Sequence, residues 1–262
     1  MKLDLYQIDA FTDKIFGGNP ACVVPLQNWL PDDTLLKIAK ENAVAETAFF
    51  VDHGDKIKLR WFTPEIEIDL CGHATLATAH CLKTILFYPK NEFIFDTLSG
   101  ALTVTVDTDG YTLNFPSRMP IAALLPEAIK NSLNILPKEI FKSRDYVLVY
   151  DSETEIKNIV IDRPTFDKIN LDPGGIIVTS KGDNCDFVSR YFTAQASILE
   201  DPVTGSAHCS LVPFWADRLK KKSMLAFQLS DRLGKLNCVD NGDRVLISGQ
   251  AKTYSIGSLW TE

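Results

Sequence analysis

Long apolar runs are missing from this 262-residue sequence. None approaches the roughly 18–20 residues that a helix needs to cross a bilayer. The first ten residues also lack the basic start and extended apolar core of a signal peptide, and they read as a strand. A cytoplasmic protein is the expectation. A surplus of positive charge is missing too: Lys plus Arg number 27 against 34 Asp plus Glu, for a net charge of -7. Nucleic acids and anionic membrane surfaces require a basic face, so neither is an expected partner. The one basic cluster, Lys220-Lys221-Lys222, reads as a solvated helix end. No C-x-x-C pair occurs. Cysteines 22, 71, 81, 185, 209 and 238 stand apart, which in a cytoplasmic chain reads as free thiols rather than a disulfide framework. G-x-x-x-x-G-K-[ST], H-E-x-x-H, G-x-S-x-G and G-x-G-x-x-G are all absent. Phosphate-loop, zincin, serine-hydrolase and dinucleotide-binding readings therefore lose their usual support.

What is present begins with enough apolar sequence, 45%, to bury a sizeable core across one large domain or two ordinary ones. The chain then repeats itself once. Arg60-Trp61-Phe62-Thr63 recurs as Arg190-Tyr191-Phe192-Thr193, an offset of 130 residues. Each copy follows a Gly-Asp pair, in His53-Gly54-Asp55 and Lys181-Gly182-Asp183. Downstream, Gly72-His73-Ala74 is matched by Gly205-Ser206-Ala207 at an offset of 133. The ordered series reads as a duplication, and an offset near half the chain means two domains rather than a solenoid.

Apolar patterning predicts strands over residues 3–10, 48–51, 57–62, 102–106 and 111–115 in the first half. In the second half it predicts strands over 146–150, 158–162, 175–179, 186–192, 244–249 and 251–258. Helices are expected over 32–42, where Pro31 and two aspartates open the first turn, and over 126–133. Two more should begin at the paired glycine motifs. Residues 107–110 and 240–243 read as hairpin turns, and 116–137 as the crossing between domains. Strands outnumber helices, which makes this an α+β reading.

Both glycine-led segments continue into runs of Ala, Ser, Thr and Cys, suited to a helix in a tight enclosure. The first N–H groups of a helix lack intrahelical partners and carry the positive end of its dipole. Glycine there lets an anion approach closely. Two such starts could cradle a carboxylate through Gly72, Gly205, Ser206 and Ala207 without a lysine or arginine. An ordinary capped, buried helix is the plainer alternative for either motif alone.

Gly18-Asn19-Pro20, Glu46-Thr47-Ala48-Phe49, Arg60-Trp61-Phe62-Thr63-Pro64, Asp69-Leu70-Cys71-Gly72-His73-Ala74-Thr75 and Asp201-Pro202-Val203-Thr204-Gly205-Ser206-Ala207-His208 stand in one order along nearly the whole chain. In this they resemble the phenazine-biosynthesis PhzF-like isomerase family. The resemblance implies a diaminopimelate-epimerase-like fold: two pseudo-symmetric domains, each a curled mixed or antiparallel sheet around a central helix, with the active site in the cleft between them. It implies a homodimer and no cofactor. Domains are expected at 1–117 and 118–262, the C-terminal strand completing the first.

The resemblance also assigns roles. Glu46, a lone acid entering an apolar strand, would be the proton shuttle; a carboxylate at a wet strand edge is the plain alternative. His73 would contact substrate and assist proton transfer, Asp201 would join them as a catalytic residue by orienting the substrate's polar groups, and Ser206 and Asn19 would bind substrate. The plain alternatives are a structural histidine, a turn or cap aspartate, a helix-capping serine and, for the asparagine that would shape a binding loop, a plain turn. Relatives often carry Ser before the glutamate where this chain has Ala45, which leaves substrate identity open.

Two other readings fit the residues less well. Diaminopimelate-type epimerases use two cysteines before the paired glycines; Cys71 holds the first place, but Thr204 holds the second, and a threonine hydroxyl is too weak a base to replace a thiolate. Cys71 then reads as a packed small residue. A zinc site from Cys71, His73, His80 and Cys81 fails because only the two histidines approach one face of a helix, so no metal is expected. The resulting expectation is a cofactor-free isomerase shifting a proton on a small carboxylate. A racemase or epimerase, or a non-catalytic carboxylate-binding protein, is the alternative. Phenazine synthesis itself is not implied.

Overall fold

The computed structural model describes residues 1–54, 56–171 and 174–261. Asp55 of the first Gly-Asp pair lies outside them. The chain divides into two compact units, Met1–Phe115 with Leu246–Glu262, and Pro116–Val245.

In the first unit the strands are β1 (Lys2–Ala10), β2 (Asn19–Leu26), β3 (Glu46–Asp52), β4 (Ile57–Phe62), β5 (Glu67–Ile68), β6 (Glu92–Thr97), β7 (Gly100–Asp107) and β8 (Gly110–Pro116). Helix α1 (Asp32–Asn42) links β2 to β3, and α2 (Gly72–His80) follows β5, its last turn loosening into a π-turn over Cys81–Ile85. Ladders run antiparallel β1–β2, parallel β2–β3, antiparallel β3–β4, parallel β4–β6 and antiparallel β6–β7 and β7–β8.

The second unit holds β9 (Ile121–Ala122), α3 (Glu127–Ser132), β10 (Glu139–Lys142), β11 (Tyr146–Val149), α4 (Glu153–Asn158), α5 (Arg163–Phe166), β12 (Ile176–Lys181), β13 (Phe187–Phe192), β14 (Glu200–Asp201), α6 (Gly205–Leu219), β15 (Ser223–Gln228) and β16 (Gly234–Asn241). Its ladders repeat the alternation: antiparallel β10–β11, parallel β11–β12, antiparallel β12–β13, parallel β13–β15, antiparallel β15–β16. After β17 (Arg244–Gly249), β18 (Ala251–Trp260) returns to the first unit and pairs antiparallel with β1.

The central helices are enclosed rather than amphipathic. All nine residues of α2 are buried, and it packs on β1, β2, β3, β7 and β18. A helix covered all round must be small-sided to fit, which is what its Ala and Thr content provides. In α6 the buried stretch runs from Ala207 to Ala216. A separate apolar layer covers each sheet's outer face. Leu35, Ile38, Val24, Phe49 and Phe62 form it in the first unit; Ile156, Phe166, Leu148, Val178 and Phe192 form it in the second.

One sequence expectation needs correction, and one strand carried no expectation. Residues 158–162 form no strand: Ser152 and Glu155 close a capping box that starts α4, Asn158 ends that helix, and Ile161 makes only an isolated bridge to Leu133. The reciprocal cap prevails over local strand preference. In turn, β2 contains Pro20 and Pro25, which argue against a strand. Each sits where β2 has a neighbour on one side only. The β1 ladder covers 19–23 and the β3 ladder 21–26, so each proline lies where only one partner strand runs alongside.

Candidate active site

The first unit gathers a cluster of polar groups where β2, β3 and α2 begin. Gly18 makes the entry possible: its φ is +58°, and a Cβ there would lie 2.0 Å from the carbonyl oxygen of Ala10. The chain thereby turns into β2 with Asn19 as its first residue, fully buried. The asparagine expected in a binding loop is thus held in a sheet. Its Nδ2 stands 3.1 Å from Nδ1 of His73, the second residue of α2.

That contact orients the imidazole. With the amide donating, Nδ1 of a neutral ring accepts and Nε2 carries the hydrogen. Nε2 lies 3.0 Å from Oε2 of Glu46, the first residue of β3. The approach is poorly aligned, so neither atom counts a directed hydrogen bond among the described residues. The His73 side chain is 3% exposed and that of Glu46 15%. The carboxylate thus sits at a strand mouth against a buried ring.

Burial pushes His73 toward its neutral form, but Glu46 beside it opposes that, and its pKa stands well above the ordinary 6.5. Cys71 contacts the ring at 3.6 Å from Sγ to Nδ1. Burial, with Glu46 adding to it, pushes the thiol up to about 11 against the opposing pull of His73 and the Ala74 N–H. The thiol is therefore protonated at neutral pH.

In the second unit, Asp201 in β14 accepts from the hydroxyl of Thr204, the residue before α6. Gln228, on β15 and wholly buried, fixes this turn: its Oε1 accepts from the Thr204 N–H at 2.8 Å and its Nε2 donates to the Asp201 carbonyl at 2.8 Å. Because Thr204 turns to Asp201, it does not cap α6 with its own side chain. Gly205 and Ala207 are buried at that start and Ser206 is half-buried. The structure thus brings Asn19, Glu46, Gly72 and His73 together in one unit, and Asp201, Gly205, Ser206 and Ala207 in the other. Gln228 escaped sequence reading, since a glutamine in an alternating strand carries no signal until its partner is known. The contact of Cys71 with His73 also goes beyond simple packing.

Of the residues weighed as zinc ligands, His80 is engaged elsewhere, with Nδ1 at 3.0 Å from Tyr111 and Nε2 at 2.9 Å from Thr253. Among the described residues, the grouping of possible metal donors is instead Glu46, Cys71 and His73, one atom of each lying within 4.8 Å of the others.

The family model for phenazine biosynthesis-like proteins matches residues 8–257. The chain belongs to that family. An uncharacterized isomerase of Pseudomonas aeruginosa is 44% identical over 260 residues, covering 99% of both chains. A solved phenazine biosynthesis protein of the PhzF family from Enterococcus faecalis superposes with a TM-score of 0.93 at 41% identity, over 100% of both chains. A hydroxyproline epimerase from Agrobacterium vitis shares the fold alone, with a TM-score of 0.66 at 10% identity over 98% of this chain and 92% of that one. These findings place the chain among isomerases on the two-unit α+β scaffold that the epimerase also uses. No helix among the described residues is long and apolar enough to cross a membrane.

Proposed function

We propose that this chain is a cofactor-independent isomerase that shifts a proton within a small carboxylate-bearing metabolite, with Glu46 as general acid/base. The observation that carries the reading is the approach of Glu46 Oε2 to His73 Nε2 at 3.0 Å, at the start of a buried helix. A carboxylate held at such a mouth can take a proton from a carbon made acidic by the substrate's own carboxylate or conjugation, and return it elsewhere on that molecule. His73, oriented by Asn19, lies against Glu46 and can itself hold a proton. Positive helix starts would stabilise charge developing on the substrate. In this reading Asn19 and Gly72 bind substrate in one unit, and Asp201, Gly205, Ser206 and Ala207 do so in the other. The reading includes a cytoplasmic homodimer.

An epimerase is the second reading, supported by the shared fold of the hydroxyproline epimerase. Two facing thiols do not support it here. Thr204 takes one place, and Cys71 in the other stays protonated up to about pH 11. Incubation with a pool of small carboxylates in deuterated water separates the outcomes. Mass gain with a moved double bond is expected. Mass gain with inversion means an epimerase, and binding without exchange in every substrate tested would overturn the catalytic reading.

A further inference from the structure

We propose that the indole N–H of Trp61 is a substrate-binding donor, placed to hold a carboxylate oxygen beside Glu46. This role rests on the reading of that strand mouth as the substrate site, and it does not need Glu46 to be the base.

Trp61 lies in β4, within the first copy of the repeated tetrapeptide, and is 1% exposed. Its Nε1 is a buried donor without a hydrogen-bond acceptor among the described residues. A buried tryptophan N–H ordinarily has a partner, because a bare one forfeits the bond it makes to water in the unfolded chain. Phenylalanine would fill an apolar core without that cost. The bare donor points to an acceptor that arrives from outside.

Strand register locates that acceptor. Ala21 pairs with Glu46, and Ala48 with Trp61. Residues two apart on a strand share a face, as do residues directly opposite on neighbouring strands. Ala21, Glu46, Ala48 and Trp61 therefore lie on one face. On the other face, Val24, Phe49 and Phe62 pack with Leu35 and Ile38 of α1. The face that carries Trp61 is thus the one turned to α2, where His73 meets Glu46.

The second unit shows what such a place accepts. Tyr191 is the counterpart of Trp61 there, and Gly175 that of Glu46. Tyr146 pairs with Ile176 as Cys22 pairs with Thr47, so the counterpart of Ala21 is Asp145. The Tyr191 hydroxyl and the Gly175 N–H both donate to Oδ1 of Asp145, each at 2.9 Å. The second unit thus carries its own carboxyl group against the aromatic donor. The first has only the methyl group of Ala21 at that register, and its aromatic donor is bare. A substrate carboxylate in the first unit would take the place that Asp145 fills in the second. An indole N–H also suits the task chemically. It only donates, so it holds an anionic oxygen without competing for the proton that Glu46 moves.

Trp61→Phe keeps an aromatic ring and removes the donor. The probe is crotonate, a small unsaturated carboxylate, titrated by NMR into the full chain with nitrogen-15 in its tryptophans. The four tryptophans give four indole signals, and the one missing from Trp61→Phe belongs to Trp61. Crotonate is expected to move that signal downfield, and Trp61→Phe should bind it roughly tenfold or more weakly. Without ligand, the same variant should melt no lower than the parent, since the donor it loses had no partner. An N–H that serves the fold alone gives the reverse: a lower Tm and an unchanged affinity. That pattern, or an indole signal left in place by a large excess of crotonate, overturns the proposal. Should Trp61→Phe fail to fold, phenylalanine at 29, 215 and 260 in turn assigns the remaining signal, and its response to crotonate decides. Should Glu46→Gln retain solvent-proton exchange, the catalytic reading falls while the indole titration still decides the donor.

Discussion

The two units share a scaffold and differ at the same few positions of it. Their ladders follow the same alternation, and each uses an arginine of the repeated tetrapeptide as a rivet. Arg60 grips Glu67 at 2.7 and 2.6 Å, and Arg190 grips Glu200 at 2.7 and 2.8 Å. Each guanidinium lies over the phenylalanine two residues on, Phe62 at 5.1 Å and Phe192 at 4.8 Å. Each also pins a crossover helix: Arg60 through Asp32 in the first turn of α1, Arg190 through carbonyls of Ile156 and Ile159 at the end of α4.

Register then shows what differs. Thr47 pairs with Phe62 as Ile176 pairs with Phe192, so the residue matching Glu46 is Gly175. The second unit has no acid at that place and no room for one. A Cβ on Gly175 would lie 2.4 Å from the Phe192 carbonyl oxygen and 2.9 Å from the Tyr191 hydroxyl. That hydroxyl and the Gly175 N–H are instead committed to the buried Asp145, both at 2.9 Å. Ser206 stands where the first unit has His73, and Thr204 where it has Cys71. Duplication has kept the rivets and helix starts; the acid, imidazole and thiol occur on one side only.

The largest effect expected from breaking this comparison is one that both units share. His80 in the first and His208 in the second are pushed by burial down to about 4 from 6.5. Both are neutral in the native state, while the unfolded chain takes up protons first as pH falls. The stability they contribute is complete above pH 6.5 and is lost as pH falls from 6.5 to 4. Each shift corresponds to on the order of 3 kcal/mol. Urea midpoints between pH 7 and 4.5 should fall steeply, and His208→Gln should remove part of that slope. His73 works in the other sense. Its raised pKa adds stability that is complete below pH 6.5 and fades as pH rises through its folded value.

Next in size is Gly175→Ala, which forces a methyl against the Phe192 carbonyl and should cost about 1–3 kcal/mol, read as a lowered Tm. Glu46→Ala, at the matching position, should cost less, because Glu46 is partly open to solvent. A near-zero cost for Gly175→Ala would remove the steric half of the contrast. Arg60→Ala and Arg190→Ala should be the smallest and most nearly equal, about 1–2 kcal/mol each in urea unfolding, since both pairs are half-buried and bidentate.

Much of the scaffold was legible from residues alone. Pro31 with Asp32 and Asp33 marks the start of α1, and the recurring Arg-Trp/Tyr-Phe-Thr locates β4 and β13. The Ser152–Glu155 box that starts α4 was equally visible, yet the apolar residues after it read as a strand. Strand β2 was hidden by its prolines, whose tolerance depends on which side has a neighbour. β5, β6, β9, β10 and β14 to β16 went unmarked. At the site, residue identity flagged Glu46 and His73, but only register equates Glu46 with Gly175. The holds of Asn19 on His73 and Gln228 on Thr204 are contacts between distant segments, 54 and 24 residues apart, which no local pattern records.

The central claim is that proton transfer belongs to one unit and the other only binds. It is tested most directly by comparing solvent-deuterium incorporation in Glu46→Gln and Ser206→Ala with the parent enzyme, on the same substrate at saturation. Glu46→Gln should lose roughly 10²–10⁴-fold in exchange rate with its fold intact. Ser206→Ala should shift substrate affinity and leave the saturated rate within about tenfold, as expected for a group that binds rather than reacts. Parent-like exchange in Glu46→Gln, or an equal collapse of the saturated rate in Ser206→Ala, would contradict the account.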